Sequence, residues 1–381
     1  MQILQVAARY YPELQFGGPP QKIHALSRGL ESRGHGVQVV TLHSVQRSAQ
    51  VVEHEGIDVH YLPWVGRGTW QAPLGMGTLA AAILQTEIDH CYGLYNLLCP
   101  AAAFLAHRAG RRFVLEPLGM YVPRARSLWA KRFYNQLFTS WMSRQAARVV
   151  ATSPGEMGEL TELVEAQRLV LRRNGIDPEP FRDLPPADGF RATHGILDEE
   201  RVVLYIGRIS PIKNLEQLVQ AFHDVSLEQT RLVLIGPALE PDYAQALTGL
   251  IAKLGLDERV LLTGPLYGED KLAALAAADL FVLPSLSESY GNAAAEAVAA
   301  GVPVLLTDAC GIAPQIDGRA GLAVPVGVSA LAAGLYTMME DEQQQDKLTE
   351  RRSEVLKELS WDEPLQQTEQ MYETVLRDAT L

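Results

Sequence analysis

Short apolar runs alternate with helical patterns through both halves of this 381-residue chain. In the first half the apolar runs are residues 3–7, 37–42, 113–115, 149–151 and 169–171, with helical stretches such as 20–33 and 127–148 among them. The second half repeats the pattern more cleanly. Its runs at 202–206, 232–235, 260–262, 280–283 and 302–306 are separated by helical stretches at 215–225, 243–254, 271–277 and 292–300. Continuous β-rich runs joined by helices mark parallel sheets covered on both faces, because each crossover lays a helix on the sheet. Two successive sets predict two doubly wound α/β domains.

Segment 183–189 (Asp-Leu-Pro-Pro-Ala-Asp-Gly) reads as a linker from its Pro and Gly content. The expected division is an N-terminal domain at 1–183, a second domain at 184–360 and a C-terminal helix at 361–381. That helix follows the second sheet without a strand of its own and is expected to pack back on the first domain through Leu365, Met371 and Val375. A strand-like piece at 51–65 reads as a β-hairpin insertion around Gly56.

Composition excludes several function classes. The chain has 33 Lys+Arg against 45 Asp+Glu, a formal charge of -12, which argues against a general polyanion binder. Cys91, Cys99 and Cys310 are too few for a disulfide framework and show no metal-ligand spacing. No apolar run reaches the roughly 18 residues of a membrane span, and no signal peptide is legible, so a cytoplasmic protein is expected. The charge is uneven: residues 1–185 carry 19 basic and 15 acidic side chains, and the remainder 14 and 30.

Open α/β sheets bind ligands beyond the carboxyl ends of their strands, and two such domains make the cleft between them the default site. Gly17-Gly18 follows the first run and opens a helix. Adjacent glycines let backbone N–H groups approach an anion, and the helix terminus adds its positive dipole end. Gly207-Arg208 and Lys213 follow the run at 202–206. An Arg fork and a Lys point charge suit a diphosphate, and Asn214 reads as the cap of the next helix. Gly75-Met-Gly77-Thr-Leu-Ala80 matches a nucleotide fingerprint but follows no strand, so it is read as coincidental.

The sharpest signal is Glu288-Ser-Tyr290-Gly291-Asn292-Ala-Ala-Ala-Glu296. Glu288 falls in a loop after a strand. Glu296 falls in an Ala-rich helix where a carboxylate needs a partner. Eight positions span about 12 Å along a helix, beyond the roughly 5–10 Å of a glycoside hydrolase pair. The spacing suits one elongated ligand held at two places.

In this order the motifs resemble the retaining nucleotide-sugar glycosyltransferases of family 4, which have the GT-B fold of two facing Rossmann-like domains. The pieces are Gly17-Gly18, Asn174-Gly175-Ile-Asp177, Gly207-Arg208 with Lys213, Glu288 with Glu296, and Gly301-Val-Pro303-Val304. The resemblance implies that Glu296 accepts the ribose hydroxyls and Glu288 contacts the donor sugar. It implies that Arg208 and Lys213 hold the diphosphate as leaving group. Tyr290, Gly291 and Asn292 would line the sugar and phosphates, and Gly17 and Gly18 would close the diphosphate from the other domain. Gly236, Pro237 and Leu266 would flank the base. Glu288, Arg208 and Lys213 are thus the catalytic candidates. No cofactor and no metal are implied beyond the UDP- or GDP-type sugar donor, and no DxD motif is present.

Relatives place a His in a Pro-His-Gly-like segment after a first-domain strand, where this chain has Glu116-Pro117-Leu118-Gly119-Met120. His90, Tyr92 and Met120 are therefore the acceptor-side candidates, with His90 also readable as structural.

Residues 108–148 hold nine Lys+Arg and one acid, Glu116. Trp129, Phe133, Leu137 and Trp141 recur every four residues, a helical stripe. The stripe suits either burial in its own domain or an anionic membrane surface met through 124–148. The expected function is transfer of a sugar from a nucleoside-diphosphate donor to a saccharide or lipid-linked acceptor, in surface polysaccharide or glycolipid assembly, with no nucleic-acid partner. An epimerase or phosphorylase of the same fold, and a non-catalytic sugar-nucleotide binder, stay open as alternatives.

Overall fold

A computed structural model describes residues 1–67, 70–123 and 128–378. The chain forms two compact units, residues 1–175 with 361–381, and residues 176–360.

The first unit is built on a sheet of β1 (Gln2–Ala7), β2 (Gly36–Thr41), β3 (Gln50–His54), β4 (Ile57–Tyr61), β7 (Ile88–Tyr92), β8 (Phe113–Glu116), β9 (Arg148–Ala151) and β10 (Leu169–Leu171). A separate two-stranded sheet holds β5 (Trp64–Val65) and β6 (Ala72–Pro73). The order in the large sheet is β10-β9-β8-β7-β1-β2-β4-β3, all parallel except β3. The hairpin turns at Glu55-Gly56 as the sequence suggests, but β4 pairs with β2 and so extends the main sheet rather than standing apart from it. β7 is buried at every position, although Asp89 and His90 interrupt its apolar pattern and hide it in the sequence.

The C-terminal helix, Asp362–Asp378, packs on this unit. Its Leu365, Met371, Tyr372 and Val375 join a core with Ile3, Ile23, Leu26 and Leu30. Gly29 makes room for it: a Cβ there would lie 2.6 Å from Leu365 Cδ1.

The second unit holds β11 (Arg201–Ile206), β12 (Thr230–Ile235), β13 (Val260–Gly264), β14 (Leu280–Leu283), β15 (Val304–Thr307) and β16 (Gly321–Val324). They lie in the order β13-β12-β11-β14-β15-β16, all parallel. Strand succession reverses between β11 and β14, which opens a crevice at their carboxyl ends. The first unit has its reversal between β1 and β7.

The chain enters the second unit at Ile176, not within 183–189. The Ile176 N–H donates to Leu359 O at 2.7 Å, and Ile176 bridges Ser360, so both crossings sit side by side. Pro185 and Pro186 instead precede a short helix, Ala187–His194, inside the second unit. Among the described residues no helix is long and apolar enough to cross a membrane.

Candidate active site

The site builds up from the loops that follow adjacent strands of the second unit. After β11 the chain runs through Gly207 and the exposed Arg208 to a short 3-10 turn, Pro211–Lys213. The Asn214 side chain does not cap the following helix. Its amide donates to Pro284 O at 3.1 Å, tying this loop to the one after β14. A second tie runs from Leu286 N–H to Ile212 O at 2.9 Å.

These ties hold Lys213 against Glu288, and the two side chains form a largely enclosed ion pair. Glu288 precedes the helix Asn292–Ala299, so its eight-residue separation from Glu296 is not a helical rise. The Glu288 N–H donates to Ala309 O at 3.1 Å, and Gly311 N–H donates to Glu288 O at 3.0 Å. The main chain of Glu288 is therefore fixed by the 309–311 backbone, and its carboxylate is held by a cation. Buried Cys310 lies beneath; burial pushes its thiol up to about 12, and the Glu288 charge adds to the shift.

Two glycines make the close approaches. Gly236, after β12, has φ 149°, and a Cβ there would sit 1.8 Å from Gly207 O. Only glycine lets these two loops touch. Ile209 N–H then reaches Pro237 O at 3.0 Å, and Gly236 N–H reaches Gly264 O at 3.0 Å. Arg208, Pro237 and Leu266 thus follow three neighbouring strands whose loops are bonded in series. Gly291, at φ 121°, opens the helix that carries Glu296, and a Cβ would meet Ile312 Cγ2 at 2.9 Å.

Glu296 is buried, and its partner is Lys271, with Nζ 2.6 Å from the carboxylate. Lys271 lies on the helix Gly268–Ala276 after β13 and was not among the sequence candidates. The Tyr290 ring departs from expectation. It is buried in the hydrophobic core, so its backbone, not its ring, borders the loop.

Gly17, Gly18, His90, Tyr92 and Met120 belong to the first unit. Gly17, at φ 90°, precedes the helix Gly18–Ser32. His90 and Tyr92 are enclosed in β7 and not placed to touch an acceptor. The reason is a buried charge cluster. Glu116 at the end of β8 pairs with Lys22 and with Arg172, and His90 Nε2 lies 3.5 Å from the same carboxylate. Burial would raise the Glu116 carboxyl, but Arg172, then Lys22 and His90, hold it well below its usual range. Burial pulls Lys22 down to about 8 and His90 to about 4, with Glu116 opposing both. His90 Nδ1 meets the Tyr372 hydroxyl at 2.6 Å and the Tyr92 hydroxyl at 3.0 Å, so the C-terminal helix is fastened to this cluster.

Half-buried Met120 and Leu118 both lie within 4 Å of a Cβ built at Gly93. Leu118 (φ 60°) and Gly119 (φ 71°) are successive left-handed residues, and Gly119 N–H donates to the buried Glu156 carboxylate. Lys22, Glu156 and Arg172 carry no local motif, which is why the sequence did not reveal them.

The family described as "Glycosyl transferases group 1" matches residues 187–355, and "Glycosyl transferase 4-like domain" matches residues 17–175. Together they span most of both units.

The chain is a glycosyltransferase of the GT-B, family 4 type.

An uncharacterized glycosyltransferase of Methanocaldococcus jannaschii is 24% identical to it, over 99% of both chains. The GDP-mannose:cellobiosyl-diphosphopolyprenol alpha-mannosyltransferase of Xanthomonas campestris is 26% identical, covering 81% of this chain and 79% of that one. Among solved structures, Anabaena HepE in complex with UDP-glucose superposes with a TM-score of 0.78 at 20% identity, covering 98% and 99% of the two chains. That likeness is one of fold. The glycosyltransferase thus has its Arg208, Lys213, Glu288 and Glu296 within one unit, around the strand reversal of β11 and β14.

Proposed function

We propose that this glycosyltransferase moves a sugar from a nucleoside-diphosphate donor to a saccharide acceptor with retention of anomeric configuration, in polysaccharide or glycolipid assembly. The observation that carries the donor assignment is the grouping of an exposed Arg208 and a paired Lys213–Glu288 at the β11–β14 reversal, with Glu296 on the next helix.

In this reaction the acceptor hydroxyl attacks the anomeric carbon as its bond to the diphosphate oxygen breaks. The leaving oxygen takes the hydroxyl proton on the same face. Arg208 and Lys213 neutralise charge as it grows on the diphosphate, which is where fixed cations lower a barrier most. Glu288, held by Lys213 and the 309–311 backbone, orients the sugar hydroxyls. Glu296 accepts the ribose hydroxyls. Much of the rate then comes from positioning, and no step is assigned to a metal.

A thermal-shift screen with UDP, GDP, ADP and their sugars selects the donor, since a ligand that binds only the folded state raises the melting temperature. Nucleoside-diphosphate release is then followed across saccharide acceptors, with and without EDTA. Acceptor-dependent release that survives EDTA is expected. Turnover without an acceptor, or only with inorganic phosphate, would replace this function with epimerisation or phosphorolysis. Tight binding with no turnover under any condition would leave a sugar-nucleotide binder.

A further inference from the structure

The helix that carries the aromatic stripe leaves the first three members of that stripe in solvent. It runs from Leu128–Tyr134 through a π segment, Asn135–Thr139, into Ser140–Gln145. Trp129 is 77% exposed, Phe133 54% and Leu137 49%. A four-residue spacing drifts about 40° per step in an α-helix, and the wider π turn offsets that drift. The rest of the helix is satisfied within the unit: Tyr134 and Met142 are buried in its core, and Phe138 and the last member of the stripe, Trp141, pack against it. Burial in the chain's own domain therefore does not account for Trp129, Phe133 and Leu137. The apolar surface continues onto a neighbouring helix, where exposed Phe104 lies 6.3 Å from Trp141, centroid to centroid.

Along the chain the charge of this segment has one sign, and the acids that come near it in space, Glu159 and Glu162, act on Tyr121 at the start of the segment. No Asp or Glu occurs between Glu116 and Glu156, a span of 39 residues in a chain with net charge -12. Arg132 and Arg144 are exposed on the same helix as the stripe. Arg124 and Arg126 of the sequence expectation lie outside the described residues.

We infer that this face seats the protein on an anionic lipid surface, with Trp129, Phe133 and Leu137 entering the headgroup boundary and Arg132 and Arg144 facing lipid phosphates. Exposed aromatics and basic residues on one helix supply both terms of interfacial binding, apolar burial and attraction to anionic headgroups. A second copy of the chain fits this face poorly, because a two-fold contact would bring two faces that each carry exposed Arg132 and Arg144 together with no acid on that helix to offset them. The inference concerns the first unit alone and does not depend on the donor assignment.

The test is co-sedimentation of the full chain with phosphatidylcholine vesicles and with vesicles containing about one third phosphatidylglycerol. Binding is expected to the anionic vesicles only, and to weaken with salt. Trp129→Ser with Phe133→Ser, and separately Arg132→Glu with Arg144→Glu, should each lower the bound fraction about tenfold at unchanged melting temperature. These positions are exposed, and if one pair fails to fold the other still decides. Brominated lipid should quench more tryptophan emission in the native chain than in Trp129→Tyr. Absent binding to anionic vesicles, or binding unchanged in both pairs, overturns the inference. So does a concentration-dependent dimer that the Trp129/Phe133 pair abolishes, which would make this face an interface between copies.

Discussion

Lys271 Nζ lies 2.6 Å from the Glu296 carboxylate, joining the helix after β13 to the helix after β14. Both side chains are largely enclosed, at 20% and 11% exposure, so neither charge is well solvated alone. Lys271→Met should cost about 1–3 kcal/mol of unfolding free energy, because it strands a carboxylate in a packed helix. Adding Glu296→Met should recover much of that loss, since an apolar pair replaces an ion pair at similar volume. Urea unfolding of the two single variants and the double variant measures the cycle. Strictly additive losses would show that the pair is not coupled.

Arg208→Ala and Lys213→Ala are each expected to lower kcat/KM by about 10²–10³, with most of the change in kcat. Lys213→Ala also releases Glu288, so its effect and that of Glu288→Ala should be far from additive. Lys213→Arg should not restore the rate, because a planar fork does not reproduce a point charge at this pairing site. Steady-state kinetics with a saturating acceptor separates kcat from KM.

Neighbouring residues of β7 set opposite pH dependences. Burial raises the Asp89 carboxyl from 3.8 to about 7, so the folded chain keeps a proton that the unfolded chain releases. Stability from this group is lost as pH rises from about 4 to 7. Burial lowers His90 from 6.5 to about 4, so the unfolded chain takes up a proton that the folded one refuses. Stability from His90 is lost as pH falls from 6.5 to about 4. Asp89→Asn should therefore gain on the native chain by an amount that grows with pH and levels off above about 7, on the order of 2–4 kcal/mol. Unfolding at pH 4, 6 and 8 reads the difference. A pH-independent difference would contradict it.

Gly291→Ala is expected to lose at least about 2 kcal/mol, combining positive φ with a Cβ 2.9 Å from Ile312 Cγ2. Because Gly291 sets the entry of the Glu296 helix, donor KM should rise in the same variant. Gly249→Ala, in a helix with nothing within 4 Å of the added methyl, is the control and should not lose stability.

Much of the second unit was legible because its signals are local. Each strand is a short apolar run, and Arg208, Lys213 and Glu288 lie within a few residues of the strands that present them. Lys271 was not legible: in Gly268-Glu-Asp-Lys271 it reads as one more solvated charge, and only the fold brings it to Glu296. Lys22, Glu116 and Arg172 were hidden for the same reason, since no spacing in the chain shows that three charged residues are buried together. The Pro-Pro pair at 185–186 looked like a domain boundary, whereas the crossing is set by the pairing of Ile176 with Ser360. The stripe from Trp129 had a legible period but no legible environment, and the structure places its first three members in solvent.

Titration calorimetry of the nucleoside diphosphate into the native chain, Glu296→Ala and Glu288→Ala tests the assignment of the donor site most directly. Glu296→Ala should bind at least about tenfold more weakly, since hydrogen bonds to a charged acceptor are worth roughly 1.5–3 kcal/mol. Glu288→Ala should keep its affinity within a few fold while turnover falls. Unchanged affinity in Glu296→Ala, or equal losses in both variants, would contradict the division of roles between the two carboxylates.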